Sequence, residues 1–594
     1  MAAPIVTDYE NSTRTAPGLS PVSSYHRFPL GSIQNELARE AKFLLLAASV
    51  AEEQSPAIFT GVWDGEGLMG SSQGDGIVWV WWGLGLLLLG WVVVQVVRAV
   101  MFAWWTPRML ERALRQQGIP GNSYRLLFGD IRESTRLREE AKLKPMPSFS
   151  HDIAARVAPL EHQAMETHGK VHFTWLGPYP AVNIMDPVLV REVLSNKFGH
   201  YQKQKSSPAS RLLVTGLLTS EGEKWAMHRR IINPAFHVEK LKLMLPAFSA
   251  CCTELLSGWE KLLGSERSCE LDVWPELQNF TRDVISRTAF GSNYEEGRRI
   301  FQLQVEQLEL VIQSFQNWLI PGYRYIPTKK NRRMREIYKE VNGILRDMIT
   351  KREKAIQSKT TGNDDLLGLL LESNLTYFQE NGDSKTFRMT TEDVIEECKL
   401  FYFAGQETTS LLLTWAMITL GMNPNWQDSA RAEVLQVFGK NKPHFDGLSH
   451  LKIVTMILYE VLRLYPPAVF LRRSTHKTMK LGEYTLPPGV LLILPIMLIH
   501  HDPDFWGEDA NVFNPERFAE GISKASKNQV AFFPFGGGPR ICVGQSFAMI
   551  EAKLGLATIL QHFSFELSPA YTHAPCTVGT LQPQHGAPLI LHRL

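Results

Sequence analysis

Cys542 stands in the stretch FPFGGGPRICVGQ (533–545), hemmed in by four glycines, with Phe535 and Arg540 close by. The other cysteines are Cys251, Cys252, Cys269, Cys398 and Cys576, and their scatter over 594 residues favours a reducing compartment. Cys542 has no CxxC partner and no nearby histidine at zinc spacing. The loop is therefore neither a disulfide framework nor a zinc knuckle. Its glycines let the backbone come close to a flat or bulky group and aim amides at a sulfur. The following run, QSFAMIEAKLGLATILQHF, has the pattern of a helix whose positive end would favour a thiolate.

A second cluster lies in MTTEDVIEECKLFYFAGQETTSLLLTWAMITLGMNP (389–424). Gly405 costs about 1 kcal/mol relative to alanine in mid-helix. Glu407, Thr408 and Thr409 follow it in the most apolar part of the run. Two readings are open here. One is a packing glycine with hydroxyls bonded to the preceding turn. The other is a polar notch built for chemistry.

Taken together, the caged thiol and the polar notch suit oxygen chemistry at a haem, where a thiolate ligand pushes electron density into the iron. Phe535 can pack against the ligand loop and limit water, and Arg540 can pair with a haem propionate. On these residues the chain resembles the cytochrome P-450 family, the haem-thiolate monooxygenases. The pattern F-x-x-G-x-R-x-C-x-G is met at Phe535, Gly538, Arg540, Cys542 and Gly544, and A-G-x-E-T-T at Ala404, Gly405, Glu407, Thr408 and Thr409. An E-x-x-R pair is met at Glu460 and Arg463 before YPP, with Arg517 in NPERF as third partner. Trp225 and Arg229 match a W-x-x-x-R pair that contacts haem propionates, and Arg472 in FLRRS matches a further propionate arginine.

The resemblance implies haem b with Cys542 as the iron ligand, and Phe535, Arg540, Trp225, Arg229 and Arg472 holding the cofactor. Thr408 with Glu407 would organise the water that delivers protons during oxygen activation. Glu460, Arg463 and Arg517 would form a structural ion-pair network. The implied reaction inserts one atom of O2 into a lipophilic small molecule. Electrons would come from NADPH through a membrane-bound NADPH–cytochrome P-450 reductase, since GEGLMG (65–70) follows no strand and makes no credible dinucleotide fingerprint. Stretches such as GNSYRLLFGDIRE and HRRIINPAFHVEKLK resemble the plant branch containing secologanin synthase, whose members oxidise triterpenoids, gibberellins and other plant hormones. A terpenoid, a hormone-like metabolite or a xenobiotic is the expected substrate class. Haem-dependent isomerases or dehydratases and a non-turnover haem sensor are the rival readings. The former tend to lack the threonine present here as Thr408.

These residues need elements to hold them. The fold implied is mainly α, a large helical domain (123–594) with a small β-rich region, preceded by a transmembrane helix. Thr390 and Asp393 make a capping-box signal for a helix that closes near Gly421, with Pro424 beyond, a rod of roughly 45 Å. Strand-like pieces occur at VHFTWLGPYPAVNIM and KLGEYTLPPGVLLILPIM. The apolar run SRLLVTGLLTS (210–220) either lines a pocket or caps the core, and FQNWLIPGYRYIP (315–327) either lies near the membrane and the substrate entrance or places its aromatics in the core. Ile77–Val97 carries a single polar side chain, Gln95, and spans roughly 31 Å as a helix, a bilayer's hydrocarbon thickness. Arg98, Arg108, Arg112 and Arg115 follow it, which predicts a single-pass anchor in the endoplasmic reticulum membrane with the haem domain in the cytosol. Residues 98–122 are expected to form a hinge, in which Pro107 and the Gly118–Pro120–Gly121 stretch break helices on either side of a basic helical piece. Residues 1–68 carry eight acids against four bases, unlike a transit peptide. They are expected to be a disordered extension, with Met69 as the start. A net charge of +2 leaves no electrostatic footprint for nucleic acid.

Overall fold

The computed structural model describes residues 73–594 except 147–148, 197–198, 205, 292–293, 315–322, 324–325, 359–364, 382–387 and 528–529. The expectations for residues 1–68 and for most of FQNWLIPGYRYIP lie outside the described residues. Helix α1, Gln73–Val100, contains the apolar run read from the sequence. From Trp81 to Val100 every side chain but Gln95 is exposed, the inverse of a core helix. It is long and apolar enough to cross a membrane. Chain Val92–Leu594 forms a separate compact unit.

The basic helical piece expected within 98–122 is present, but it continues from the helix before it rather than starting after a break. A π-helical turn, Met101–Trp105, runs into α2, Thr106–Gln116, and Leu114 of α2 is fully buried. Pro107 does not break the helical run, which passes through it to Gln116, because the wider π-helical turn just before it has already loosened the backbone ladder its missing N–H would have joined.

The helices that bear on the site are α3 Ile131–Leu143, α4 Pro159–His168, α5 Pro187–Ser195, α6 Gly222–Ile232, α7 Val273–Phe290, α8 Thr391–Met422, α9 Lys452–Leu464 and α10 Gln545–His562. The strands are β1 Val171–Leu176, β2 Tyr179–Ile184, β3 Tyr201–Gln202, β4 Ser268–Asp272, β5 Leu471–Thr475, β6 Met479–Leu481, β7 Tyr484–Leu486, β8 Leu491–Leu494, β9 Phe563–Leu567, β10 Pro575–Val578, β11 Thr580–Pro583 and β12 Pro588–Arg593. The largest sheet has the order β1-β2-β8-β5-β3, with β2 and β8 parallel and the other neighbours antiparallel. The molecule is thus mainly helical with a small β region, as expected.

Helix α8 starts where its capping box predicts. Thr390 Oγ1 accepts from the Asp393 amide at 3.2 Å, and Asp393 accepts from the Thr390 amide at 3.0 Å. Its C-terminal half is a buried core element, with Leu411, Leu413, Trp415, Met417 and Leu420 fully enclosed. Gly405 faces α7: a Cβ there would lie 3.0 Å from Ile285. Any side chain at 405 would push the two helices apart, which accounts for a glycine in mid-helix.

Candidate active site

The loop around Cys542 is shaped by its glycines. Gly536 and Gly538 have φ of 75° and 65°, a region L-residues rarely adopt. A Cβ on Gly538 would lie 2.2 Å from the Leu194 carbonyl oxygen in α5, so only glycine lets the loop sit on that helix. The loop is closed by the Cys542 amide donating to the Phe535 carbonyl at 2.9 Å. Phe535 packs against the main core. The Cys542 side chain is exposed to a solvent-sized sphere yet crowded by protein on most sides, so it lies on the wall of a recess. Burial pushes its thiol up from the ordinary value, while the Gly544 amide and the Arg229 guanidinium pull the other way. Gly544 caps α10, so the helix N-terminus points at the sulfur as expected.

The recess has α8 on another side. At the centre of the helix Ala404 is exposed, while Phe403, Gly405, Glu407 and Thr408 are half-buried. Phe236 ties this face to the cysteine loop. Its ring is 5.7 Å from Phe401 of α8 and 6.4 Å from Phe547 of α10, and it lies 3.8 Å from a Cβ placed on Gly544. Thr408 Oγ1 donates to the Ala404 carbonyl at 2.8 Å, so its lone pairs remain to accept a proton donor. Glu407 is not turned toward Thr408. It accepts from Gln582 at 2.7 Å and Thr580 at 3.2 Å on the β10–β11 hairpin, because successive helix residues point about 100° apart. Burial pushes the Glu407 carboxyl up. Sequence patterns did not signal Thr580 or Gln582, since hairpin and helix are far apart in the chain.

Beside the recess lies a cluster of cations. Trp225 and Arg229 project from one face of α6, being four residues apart. Arg229 donates to the Ile541 carbonyl at 2.8 Å. The Arg540 guanidinium lies 4.4 Å above the Trp225 ring, pairs with Glu221 at 2.6 Å and donates to the Ser220 carbonyl at 2.9 Å. Its other terminal nitrogen, Nη1, is buried with no hydrogen-bond partner. Arg473, nearly fully buried, lies in the field of Arg540 and Glu221, and burial with the Arg540 charge lowers it to about 10. Lys203 is in the same field and is pulled down to about 7, chiefly by burial. Arg540, Arg473 and Lys203 share the Glu221 carboxylate, and Arg229 adds its charge beside Arg540. An orphaned guanidinium nitrogen and a surplus of positive charge fit the two propionates of a haem seated against Cys542.

Arg472 does not join this cluster, contrary to the sequence reading. On β5 successive side chains point to opposite faces. Arg473 opposes Leu492 of β8 and faces Arg540, whereas Arg472 opposes Ile493 and faces Glu161 and Arg138. Motif matching in FLRRS chose the wrong one of two adjacent arginines.

The ion-pair residues are brought together under the loop. Arg463 donates twice to Glu460, at 2.8 and 2.7 Å, with both side chains fully buried, and also to the carbonyls of His500 and Ala510. Arg517 Nε lies 3.5 Å from Glu460 and its Nη1 donates to the Trp506 carbonyl at 3.0 Å. His500 extends the network to the cysteine loop, since its Nε2 accepts from the Phe533 amide at 3.0 Å. Burial and the Arg463 charge hold His500 well below its ordinary pKa, keeping it neutral and able to accept. A separate cavity of about 260 Å³ lies beside the start of α8, within SRLLVTGLLTS and its neighbours. In it Lys224 pairs with Asp393 and the Thr215 hydroxyl donates to Glu396, both at 2.6 Å, and Cys542 is not among its lining residues.

The cytochrome P450 family model matches residues 154–587 of the chain. Cytochrome P450 CYP72A616 of Paris polyphylla is 65% identical over 508 residues, covering 85% of this chain and 98% of that relative. Cytochrome P450 72A397 of Kalopanax septemlobus is 55% identical, covering 84% and 95%, and cytochrome P450 72A13 of Arabidopsis thaliana 52% identical, covering 86% and 98%. Among solved structures, the retinoic acid-bound cyanobacterial CYP120A1 matches with a TM-score of 0.65 at 23% identity, over 80% of this chain and 99% of that one, a likeness of fold.

Proposed function

The chain belongs to the cytochrome P450 family, in the plant CYP72A group, and from that premise we propose that it is a membrane-anchored enzyme of plant metabolism acting on a terpenoid or hormone-like lipophile. It is a haem-thiolate monooxygenase that uses haem b, O2 and a redox partner. The partner in this proposal is NADPH–cytochrome P-450 reductase. Helix α1 anchors the chain once in the endoplasmic reticulum membrane, and the basic residues after it keep the catalytic unit cytosolic. When bound, haem supplies the reductive activation of O2 and the insertion of one oxygen atom into the substrate.

The protein's part is to hold, orient and protonate. Cys542 would hold the haem iron through its sulfur, which the Gly544 amide and the α10 N-terminus meet. Arg540, Arg473, Lys203 and Arg229 take the propionate charges, and Trp225 stacks under Arg540 to fix it. Phe535 packs beside the ligand loop and keeps water from the sulfur. Thr408 presents a hydroxyl at the accessible face of α8, where it positions a water for proton delivery. Glu407, its carboxyl pushed up by burial and tethered to the hairpin by Gln582, is the acid proposed to reload that water. Glu460, Arg463 and Arg517 hold the segment that carries the loop.

The observation that carries the proposal is the glycine-caged Cys542, whose loop Phe236 ties to the α8 face that bears Phe401, Ala404 and Thr408. The test is the carbon-monoxide difference spectrum of the reduced full chain. The wild type is expected to show the red-shifted band of a thiolate-ligated haem, and Cys542→Ala to lose it. A variant that keeps the band rules out Cys542 as the ligand. NADPH-dependent uptake of one labelled oxygen atom from O2 by a terpenoid panel, with reductase supplied, tests the substrate class.

A further inference from the structure

Helix α6 carries Trp225 and Arg229, but its buried footing is narrow. Of its 11 residues only His228, Ile231 and Ile232 are buried. The two isoleucines hold the helix down without fixing its rotation, because apolar contact has no preferred direction. His228 supplies the direction. It is fully enclosed, and its Nδ1 lies 2.6 Å from Oε1 of Glu397, a fully enclosed residue in the second turn of α8. Its Nε2 is buried with no hydrogen-bond partner, so among the described residues the Glu397 bond is the ring's one hydrogen bond. Glu397 is pinned from the other side. Its Oε2 accepts from the Leu217 amide at 3.0 Å. A Cβ on Gly216 would lie 2.7 Å from that oxygen, so a glycine is what lets the 216–218 turn close on the carboxylate. The neighbouring Lys224–Asp393 pair also links α6 to α8, but its lysine is exposed and such a pair fixes little.

Arg229 follows His228, about 100° further round the helix. Its guanidinium donates to the Ile541 carbonyl at 2.8 Å, beside Cys542. At a helix's outer radius of about 5–6 Å, a rotation of about 20° carries a side-chain tip through about 2 Å. That is enough to break the bond to Ile541. We propose that His228 and Glu397 are positioning residues for the cofactor: their buried bond sets the rotation of α6 and so holds Arg229 on the cysteine loop. The inference rests on the haem-thiolate reading and adds two residues that none of the matched motifs contains. A guanidinium held there keeps a positive charge by the sulfur and by the propionate cluster; one that swings into solvent serves neither.

The experiment uses full-length, haem-loaded protein and follows two rates. One is haem transfer to apomyoglobin; the other is conversion of the thiolate-type carbon-monoxide band to the thiol type. His228→Phe keeps a planar ring and removes the donor. It is expected to speed both rates about tenfold, the size of one charge-assisted contact. His228→Asn keeps an N–H near the place of Nδ1 and is expected to stay within about threefold of wild type. Arg229→Gln alone is expected to match His228→Phe. Adding His228→Phe to Arg229→Gln is then expected to change neither rate by more than about threefold, because the two act as one unit. The inference is overturned if His228→Phe leaves both rates at the wild-type value, or if His228→Asn is as fast as His228→Phe. It is also overturned if His228→Phe multiplies the rates by the same factor with and without Arg229, the mark of a pair that serves stability alone. Should His228→Phe not fold, His228→Leu is read in its place; failure of both makes the pair a structural one and sinks the inference. A wild type with no thiolate band at all would instead sink the haem-thiolate reading.

Discussion

Arg472 and Arg473 are adjacent and chemically identical, yet the pleat of β5 sends one to Glu161 and the other to Arg540. Their roles therefore separate by mutation. Arg473→Gln removes one of four cations at the propionate cluster and should weaken haem retention roughly tenfold or more, the value of one charge-assisted contact. Haem content after gel filtration and the rate of haem transfer to apomyoglobin measure this; retention equal to wild type would remove Arg473 from the cofactor's holders. Thr408 makes a different kind of prediction. Its hydroxyl donates to Ala404 whether or not a water is present, so Thr408→Ala loses little packing and should still fold and bind haem. With proton delivery impaired, the variant should release several-fold more peroxide per product at similar NADPH consumption. Unchanged coupling would shift the role to Glu407.

At the level of elements, the cysteine loop is held from below by α9. Glu460 and Arg463 are fully buried, and the arginine spreads its remaining donors over the carbonyls of His500 and Ala510. Such a pair need not stabilise the fold relative to an apolar one, but removing one partner strands a buried charge and costs about 3–5 kcal/mol. Glu460→Gln is therefore expected to lower unfolding stability by that order, seen as a shifted urea midpoint with parallel loss of the thiolate-type carbon-monoxide band. Because Asn514 also donates to Glu460, at 2.9 Å, and His500 accepts from Phe533, the damage should reach the ligand loop. A midpoint within experimental scatter of wild type would mean that the pair is dispensable.

The whole molecule carries several histidines that burial keeps neutral. His151, bonded to the Tyr465 hydroxyl at 2.7 Å, is pulled down to about 3, mainly by burial and then by His573, His501 and Arg463. The unfolded chain protonates such a group below about pH 6.5, while the folded chain refuses the proton. Its contribution is therefore fully present above about 6.5 and is lost as pH falls toward 3. Between about pH 6 and 4 it should add roughly 1.4 kcal/mol of destabilisation per pH unit. Stability curves of wild type and His151→Gln over that range should differ in slope by about this amount. Parallel curves would mean that His151 titrates as an ordinary surface histidine.

Much of the site was legible in the chain because its pieces are local. The glycine-caged Cys542, the notch at Gly405–Thr409 and the E-x-x-R pair each depend on residues a few positions apart, where spacing reports geometry directly. The capping box at Thr390 and the apolar run of α1 are local in the same sense. Pro107 was misread because a π-helical turn, Met101–Trp105, precedes it and lets the helix run on to Gln116, a local widening that no sequence pattern announces. What spacing could not supply was the facing of side chains across distant elements. Arg473 turns to Arg540 and Arg472 to Glu161 because β8 fixes the pleat of β5. Glu407 meets Thr580 and Gln582 because a hairpin more than 170 positions later folds over α8. His500 reaches Phe533 through a bond that no local pattern announces. These contacts bring together groups remote in sequence, and their partners are chosen by burial and register, which exist only once the chain has packed.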